Sequence, residues 1–172
     1  MSINNSISAY ISLGSNLGNC IKNLNEAIEC IDTNNNLKAI DISPIYITEP
    51  QGLKEQTWFY NQVIRINCNI LKPRELMQFL LDTEKKLGRI RHNDINLRYG
   101  ERTIDLDLLL FGQEYSQDSF CTIPHMHMFE RAFVLIPLRH VLCEDTIIKQ
   151  KDIDIALSKL NYNVQDNKIY QP

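Results

Sequence analysis

Arg102-Thr103-Ile104-Asp105-Leu106-Asp107-Leu108-Leu109-Leu110-Phe111 is the stretch on which the reading of this chain turns. It has the apolar density of a buried strand, yet it carries two carboxylates. Side chains at i and i+2 of a strand share a face. Asp105 and Asp107 are therefore expected side by side, with Ile104, Leu106, Leu108 and Leu110 on the opposite face. Like charges at that range repel, and partial burial strengthens the repulsion. A divalent cation relieves it. Magnesium is typically held by one or two protein carboxylates and completed by substrate phosphates and water.

Working outward, the basic residues cluster just before this strand. Lys85, Lys86, Arg89, Arg91, Arg98 and Arg102 face only Asp94 and Glu101 across the same segment. The planar forks of Arg89, Arg91 and Arg102 suit bidentate phosphate contacts. Alone, such a cluster is also what a solvated loop looks like. Beside a D-x-D strand it matches a polyphosphate, whose charge magnesium and arginine neutralise together.

The whole chain sets the bounds. Its 172 residues fit one domain, and 44% hydrophobic with 23% charged residues is an ordinary globular composition. The net charge of -3 argues against general polyanion binding and for a small anionic ligand at the one cationic segment. The five cysteines are scattered without C-x-x-C spacing, as in a reducing cytosol. No signal peptide or spanning segment is indicated, so a cytoplasmic protein with no membrane or nucleic-acid partner is expected.

Periodicity predicts a strand over 7–13, a helix over 18–32, and a strand over 38–47 interrupted by Pro44. A loop follows over 48–57, then a strand over 59–70. Its side chains Phe59, Asn61, Val63 and Arg65 share one face. A helix begins at Pro73 and ends at Gly88. Residues 89–101 read as a charged loop and 104–111 as the central strand. A short strand over 120–123, a helix over 129–141 whose apolar density also fits a strand, and a helix over 152–160 complete the chain. The class is α+β. The core is a ferredoxin-like β-α-β-β-α-β unit with a mostly antiparallel sheet, helices packed mainly on one face, and C-terminal additions.

Several residues have two readings each. Glu84 lies at the edge of an apolar helix stripe, where it is either a surface carboxylate or a hydrogen-bond acceptor for a ribose or base. His125 and His127 make a weak H-x-H signal with no matching ligand set, so His125 is better placed to touch a nucleotide than a transition metal. Gly14-Ser15-Asn16-Leu17-Gly18 lacks the lysine of a phosphate-binding loop and reads as a tight turn. Asn61, among Trp58, Phe59 and Tyr60, is either core packing or part of a heterocycle pocket.

These pieces occur together in one family. The chain resembles the 6-hydroxymethyl-7,8-dihydropterin pyrophosphokinases of folate biosynthesis. The resemblance runs through residues 9–18, 43–50, 59–61, 84–91, 100–107, 123–125 and 131–138, in order, and spans roughly residues 7–142. It implies a magnesium-dependent transfer of pyrophosphate from ATP to the hydroxymethyl group of a reduced pterin, with release of AMP. Asp105 and Asp107 would bind two magnesium ions, and Arg89 and Arg102 would steady the phosphates. Glu84, Arg91, Thr122, His125 and Arg131 match nucleotide-binding positions. Thr48, Gln51, Phe59, Asn61 and Phe133 match the pterin pocket, with Phe59 and Phe133 stacking on the ring.

One domain over 1–172 is expected, with a C-terminal extension from about 143, acting as a monomer on small-molecule substrates. The chain departs from the family pattern in a longer loop between Arg91 and Arg102 and in Tyr99, where a tryptophan is often found. Two rivals stand beside this reading. One is another magnesium-dependent nucleotidyl- or phosphotransferase, which would release ADP or pyrophosphate. The other is a ferredoxin-like binding module for a ligand or RNA, without ATP turnover.

Overall fold

The computed structural model describes residues 6–50, 55–90 and 100–172. The element order is β1 (Ile7–Ser15), α1 (Cys20–Asp32), β2 (Leu37–Ile42), β3 (Tyr46–Thr48), β4 (Phe59–Cys68), α2 (Pro73–Lys86), β5 (Asp105–Phe111), β6 (Ser116–Asp118), β7 (Cys121–Ile123), α3 (Ala132–Val141), α4 (Gln150–Leu157), β8 (Asn163–Gln165) and β9 (Lys168–Tyr170). β5, β1, β4, β3, β9 and β8 lie side by side in that order, and β2 also pairs with β4. The sheet is mixed: β3 and β9 run parallel, while the other described pairs run antiparallel.

Local chemistry explains the better-predicted elements. The Asn19 side chain accepts the Lys22 N–H at 3.1 Å and starts α1, whose Leu24, Ala27 and Ile31 then face inward. Pro73 opens α2, and Glu75 reaches back to the Lys72 N–H at 2.7 Å. Gly88, at φ +85°, follows α2 in the left-handed region that closes helices.

The expectation of helices mainly on one face is corrected. Two cores flank the sheet. Ala9, Ile11, Leu13, Ile64 and Ile66 pack on α1 and α2, while Tyr10, Val63, Leu109 and Leu110 pack with α3 and α4. Leu110 is corrected with them. The β1–β5 register passes from Tyr10↔Leu110 to Ile11↔Leu108, so Leu109 is an extra residue in β5. Such a bulge reverses the alternation beyond it and turns Leu110 to the α3 face.

Other boundaries shift as well. The strand expected over 38–47 is two, because Pro44 lacks the N–H a continuous ladder needs. Ser43 bridges the gap, its N–H donating to the Val63 carbonyl and its Oγ accepting the Val63 N–H, both at 3.0 Å. β4 stops at Cys68, and Ile70 takes a left-handed φ of 70° that ends the strand. Met128–Glu130 forms a separate 3-10 turn, so α3 starts at Ala132 rather than at Phe129. The last helix ends at Leu157 rather than 160, and the β8–β9 hairpin beyond it was not foreseen. Among the described residues, no helix is long and apolar enough to cross a membrane.

Candidate active site

The site lies where the strands of the central sheet begin or end together. Asp105 of β5, Gly14 of β1 and Asn61 of β4 stand abreast, with Tyr46 of β3 beside Asn61. One row deeper, Asp107 pairs with Ser12. This is the face that α3 covers further in, so an apolar surface gives way to a polar ledge at its end. A Cβ on Gly14 would meet Asn61 Oδ1 at 3.2 Å and Asp105 Cβ at 3.8 Å. The glycine therefore lets the Asn61 amide lean across β1 toward the acidic strand.

The D-x-D pair is real, but its two members differ. Arg89 engages Asp105 Oδ1, and Arg102 Nη1 donates to Asp105 Oδ2 at 2.7 Å. Burial pushes the Asp105 carboxyl upward, but Arg89 and Arg102 outweigh it and hold the carboxyl below its ordinary value. Among the described residues, no hydrogen bond or ion pair reaches the Asp107 carboxylate. Burial, then the neighbouring Asp105 charge, pushes its carboxyl up to about 7, with Arg131 partly offsetting them.

Glu84 is not a surface carboxylate. It is 1% exposed, pairs with Arg89, and accepts the Leu106 N–H at 2.8 Å. It thus anchors both the arginine and the start of β5. His125 is tied to β5 through its N–H, which donates to the Leu109 carbonyl at 2.9 Å. Burial, with Arg131 and His127 nearby, pushes the His125 imidazole down to about 4, so the ring is neutral at physiological pH. The Thr122 hydroxyl donates to the Asp118 carbonyl at 3.1 Å.

On the other wall, buried Asn61 donates through Nδ2 to Thr48 Oγ1 at 2.7 Å. Each predicted stacking ring carries a guanidinium: Arg102 lies 5.4 Å from the Phe59 centroid, and Arg131 5.8 Å from that of Phe133. Gln51, Arg91 and Tyr99 lie outside the described residues.

Sequence reading missed Asn16 as a hub. Its side chain accepts the Arg102 N–H at 2.8 Å and donates to Gln56 Oε1 and the Thr57 carbonyl, each at 3.2 Å. Its own N–H donates to the Arg102 carbonyl at 3.1 Å. The only local hint was an asparagine in a strand-to-helix turn, which ordinarily reads as turn chemistry.

The donor set fits a hard divalent cation. Among the described residues, no three or more His, Cys, Asp or Glu side chains gather into a cage. Two adjacent carboxylates, one without a side-chain partner among the described residues, form the kind of site that substrate phosphates and water complete.

Comparison with known proteins follows the same lines. The pattern of the 7,8-dihydro-6-hydroxymethylpterin-pyrophosphokinase (HPPK) family matches residues 10–143. The chain belongs to this family. Among HPPK relatives, the 2-amino-4-hydroxy-6-hydroxymethyldihydropteridine pyrophosphokinase of Haemophilus influenzae is 37% identical over 153 residues, 89% of this chain and 92% of the relative. That of Bacillus subtilis is 38% identical over 133 residues, 77% of each chain. The wild-type HPPK-DHPS structure of Plasmodium falciparum with SDX-DHP has a similar fold, with a TM-score of 0.61 at 13% identity. That alignment covers 98% of this chain and 50% of the other.

Proposed function

We propose that this chain transfers the terminal pyrophosphoryl group of ATP to the hydroxymethyl group of 6-hydroxymethyl-7,8-dihydropterin in folate biosynthesis, releasing AMP. The observation that carries this reading is the row Asp105–Gly14–Asn61, which sets an acidic, arginine-braced ledge directly beside a neutral amide wall. A polyphosphate belongs at the first and an uncharged heterocycle at the second.

Asp105 and Asp107 would hold two magnesium ions, which supply charge neutralisation of the polyphosphate. Arg89 and Arg102, now spent on Asp105, are placed to turn to phosphate oxygens once cations share that carboxylate. Glu84, Arg91, Thr122, His125 and Arg131 would hold the nucleotide. Neutral His125 would act as a hydrogen-bond donor, because its Nδ1 accepts the His127 N–H at 3.3 Å and leaves the proton on Nε2. Thr48, Gln51, Phe59, Asn61 and Phe133 would hold the pterin, with Asn61 reading its edge and the two rings its faces.

The pterin hydroxyl oxygen forms a bond to the β-phosphorus. The bond from that phosphorus to the oxygen bridging to the α-phosphate breaks, AMP leaves with that oxygen, and the hydroxyl proton passes to solvent. No side chain becomes covalently attached. Such catalysis is positioning and charge stabilisation.

The strands β5, β1 and β4, with β2 and β3 together in the fourth place, fit a ferredoxin-like core. We place the chain as one domain over 1–172, core about 7–142, acting as a cytoplasmic monomer. The deciding experiment is magnesium-dependent AMP formation from ATP, with and without the reduced pterin. AMP release that needs both the pterin and the metal is expected. Release of ADP or pyrophosphate, or turnover unchanged by chelator, overturns the reading.

A further inference from the structure

The family match ends at residue 143, yet the chain beyond it returns to the site. β9 lies parallel to β3, with Lys168 opposite Ile47 and Ile169 opposite Thr48. The Ile47 N–H donates to the Asn167 carbonyl at 2.9 Å, and Ile169 is buried in the α3 core. Two β9 side chains meet Trp58, the residue before Phe59. Tyr170 packs edge-on at 5.6 Å, and Lys168 Nζ lies 5.8 Å from the ring centroid. The C-terminal strand is thus fixed to the Thr48–Asn61 wall.

The next residue reaches the start of α3. Gln171 Oε1 accepts the Ala132 N–H at 2.7 Å, and Gln171 Nε2 donates to the Glu130 carbonyl at 2.7 Å. Arg131 sits between these two bonds. It holds the cap position of α3 in extended backbone, with no capping bond from its own side chain. The first N–H groups of a helix have no partner within the helix. Here a side chain 39 residues away supplies one.

We propose that Gln171 is a positioning residue for the substrate site, a strut that runs from the β3–β9 pair to the start of α3 and sets where Arg131 and Phe133 stand relative to Thr48 and Asn61. This rests on the substrate assignments made above. Gln171 touches no substrate. It acts by fixing the backbone on both sides of Arg131 while β9 fixes Thr48, so one amide ties the start of α3 to the β3–β9 pair.

The test uses steady-state kinetics of the full chain. Gln171→Met keeps the length of the side chain and removes both hydrogen bonds, and Gln171→Ala removes the side chain. Both variants are expected to raise the KM for pterin and for ATP about three- to ten-fold, the scale of a lost helix cap, with kcat held within about two-fold. Emission of Trp58, the single tryptophan, stays unchanged and shows that β9 remains paired. Unchanged KM values in both variants overturn the proposal. So does a loss of kcat without a KM change, as a merely structural role would give, or a KM effect in the alanine variant that the methionine variant lacks. These failures are distinct from failure of the functional reading, in which the unaltered chain forms no pterin-dependent AMP.

Discussion

The two walls of the site are held by different forces. On the acidic wall, Asp105, Glu84, Arg89 and Arg102 hold one another in ion pairs, and Asp107 is left beside them with no partner among the described residues. On the amide wall, Asn61 donates to Thr48 and β3 pairs with β9, both through neutral hydrogen bonds. The acidic wall is unfinished without ligand: its like charges are close, and its arginines occupy the carboxylate that a cation would share. The amide wall is preorganised. A change on the first should trade activity against stability, whereas a change on the second should cost binding and stability together.

The largest test of that contrast is Asp107→Asn. Removing this proposed metal ligand should forfeit about 4 kcal/mol or more of transition-state stabilisation, so turnover should fall by roughly three powers of ten or beyond. The same change removes the charge that burial and Asp105 oppose. The unfolding midpoint of the metal-free protein should therefore rise by about 2–4 °C, the shift about 1 kcal/mol gives a chain of this size. A thermal melt in chelator checks it, and a lowered midpoint breaks the contrast.

Asn61→Ala is the matching test on the amide wall. It leaves the Thr48 hydroxyl without its partner and takes away the amide proposed to read the heterocycle. Unmade buried hydrogen bonds cost about 1–3 kcal/mol. The KM for pterin should rise about ten- to hundred-fold and the melting point should fall, while the KM for ATP holds. Equal effects on both substrates would show that the two walls are not separable.

Much of this was readable from the sequence, for local reasons. The D-x-D strand announces itself because carboxylates are rare in apolar runs, and α2 is bounded by Pro73 and Gly88, whose backbone preferences act wherever they stand. The remainder depends on partners far along the chain. The turn of Leu110 to the α3 face comes from a bulge that exists only in the pairing of β5 with β1. Glu84 is an anchor because Arg89 and the Leu106 N–H reach it, and helix periodicity shows neither. The β8–β9 strands have three residues each, too short for alternation to register. Their one local mark is Asp166-Asn167, both at positive φ in the turn between them.

His125 sharpens the contrast from within the acidic wall, because it is a neutral group there. Its imidazole titrates near 4, against about 6.5 in the unfolded chain. Between those values the unfolded state binds more protons, so stability rises with pH and is lost as pH falls from about 6.5 toward 4. The full loss is about 3 kcal/mol at most. Urea unfolding at pH 7 and pH 4.5 should show His125→Gln losing about 1–2 kcal/mol less than the unaltered chain over that interval. Equal losses would show that His125 is protonated without penalty and that this part of the wall is open to water.

The smallest effect is expected at Gly14→Ala, which probes the seam between the walls. The added Cβ would stand 3.2 Å from Asn61 Oδ1, tighter than ordinary contact, but only 3.8 Å from Asp105 Cβ, which is ordinary. The amide must give by a few tenths of an ångström, while the carboxylate need not move. Such a displacement at a binding group is a fraction of the loss of the group itself. The KM for pterin should rise about two- to five-fold, well short of the Asn61→Ala effect, and the magnesium dependence of the rate should be unchanged. A shift in magnesium dependence without a change in pterin KM would place the strain on Asp105 instead. The row across β5, β1 and β4 would then transmit force toward the acidic ledge rather than away from it.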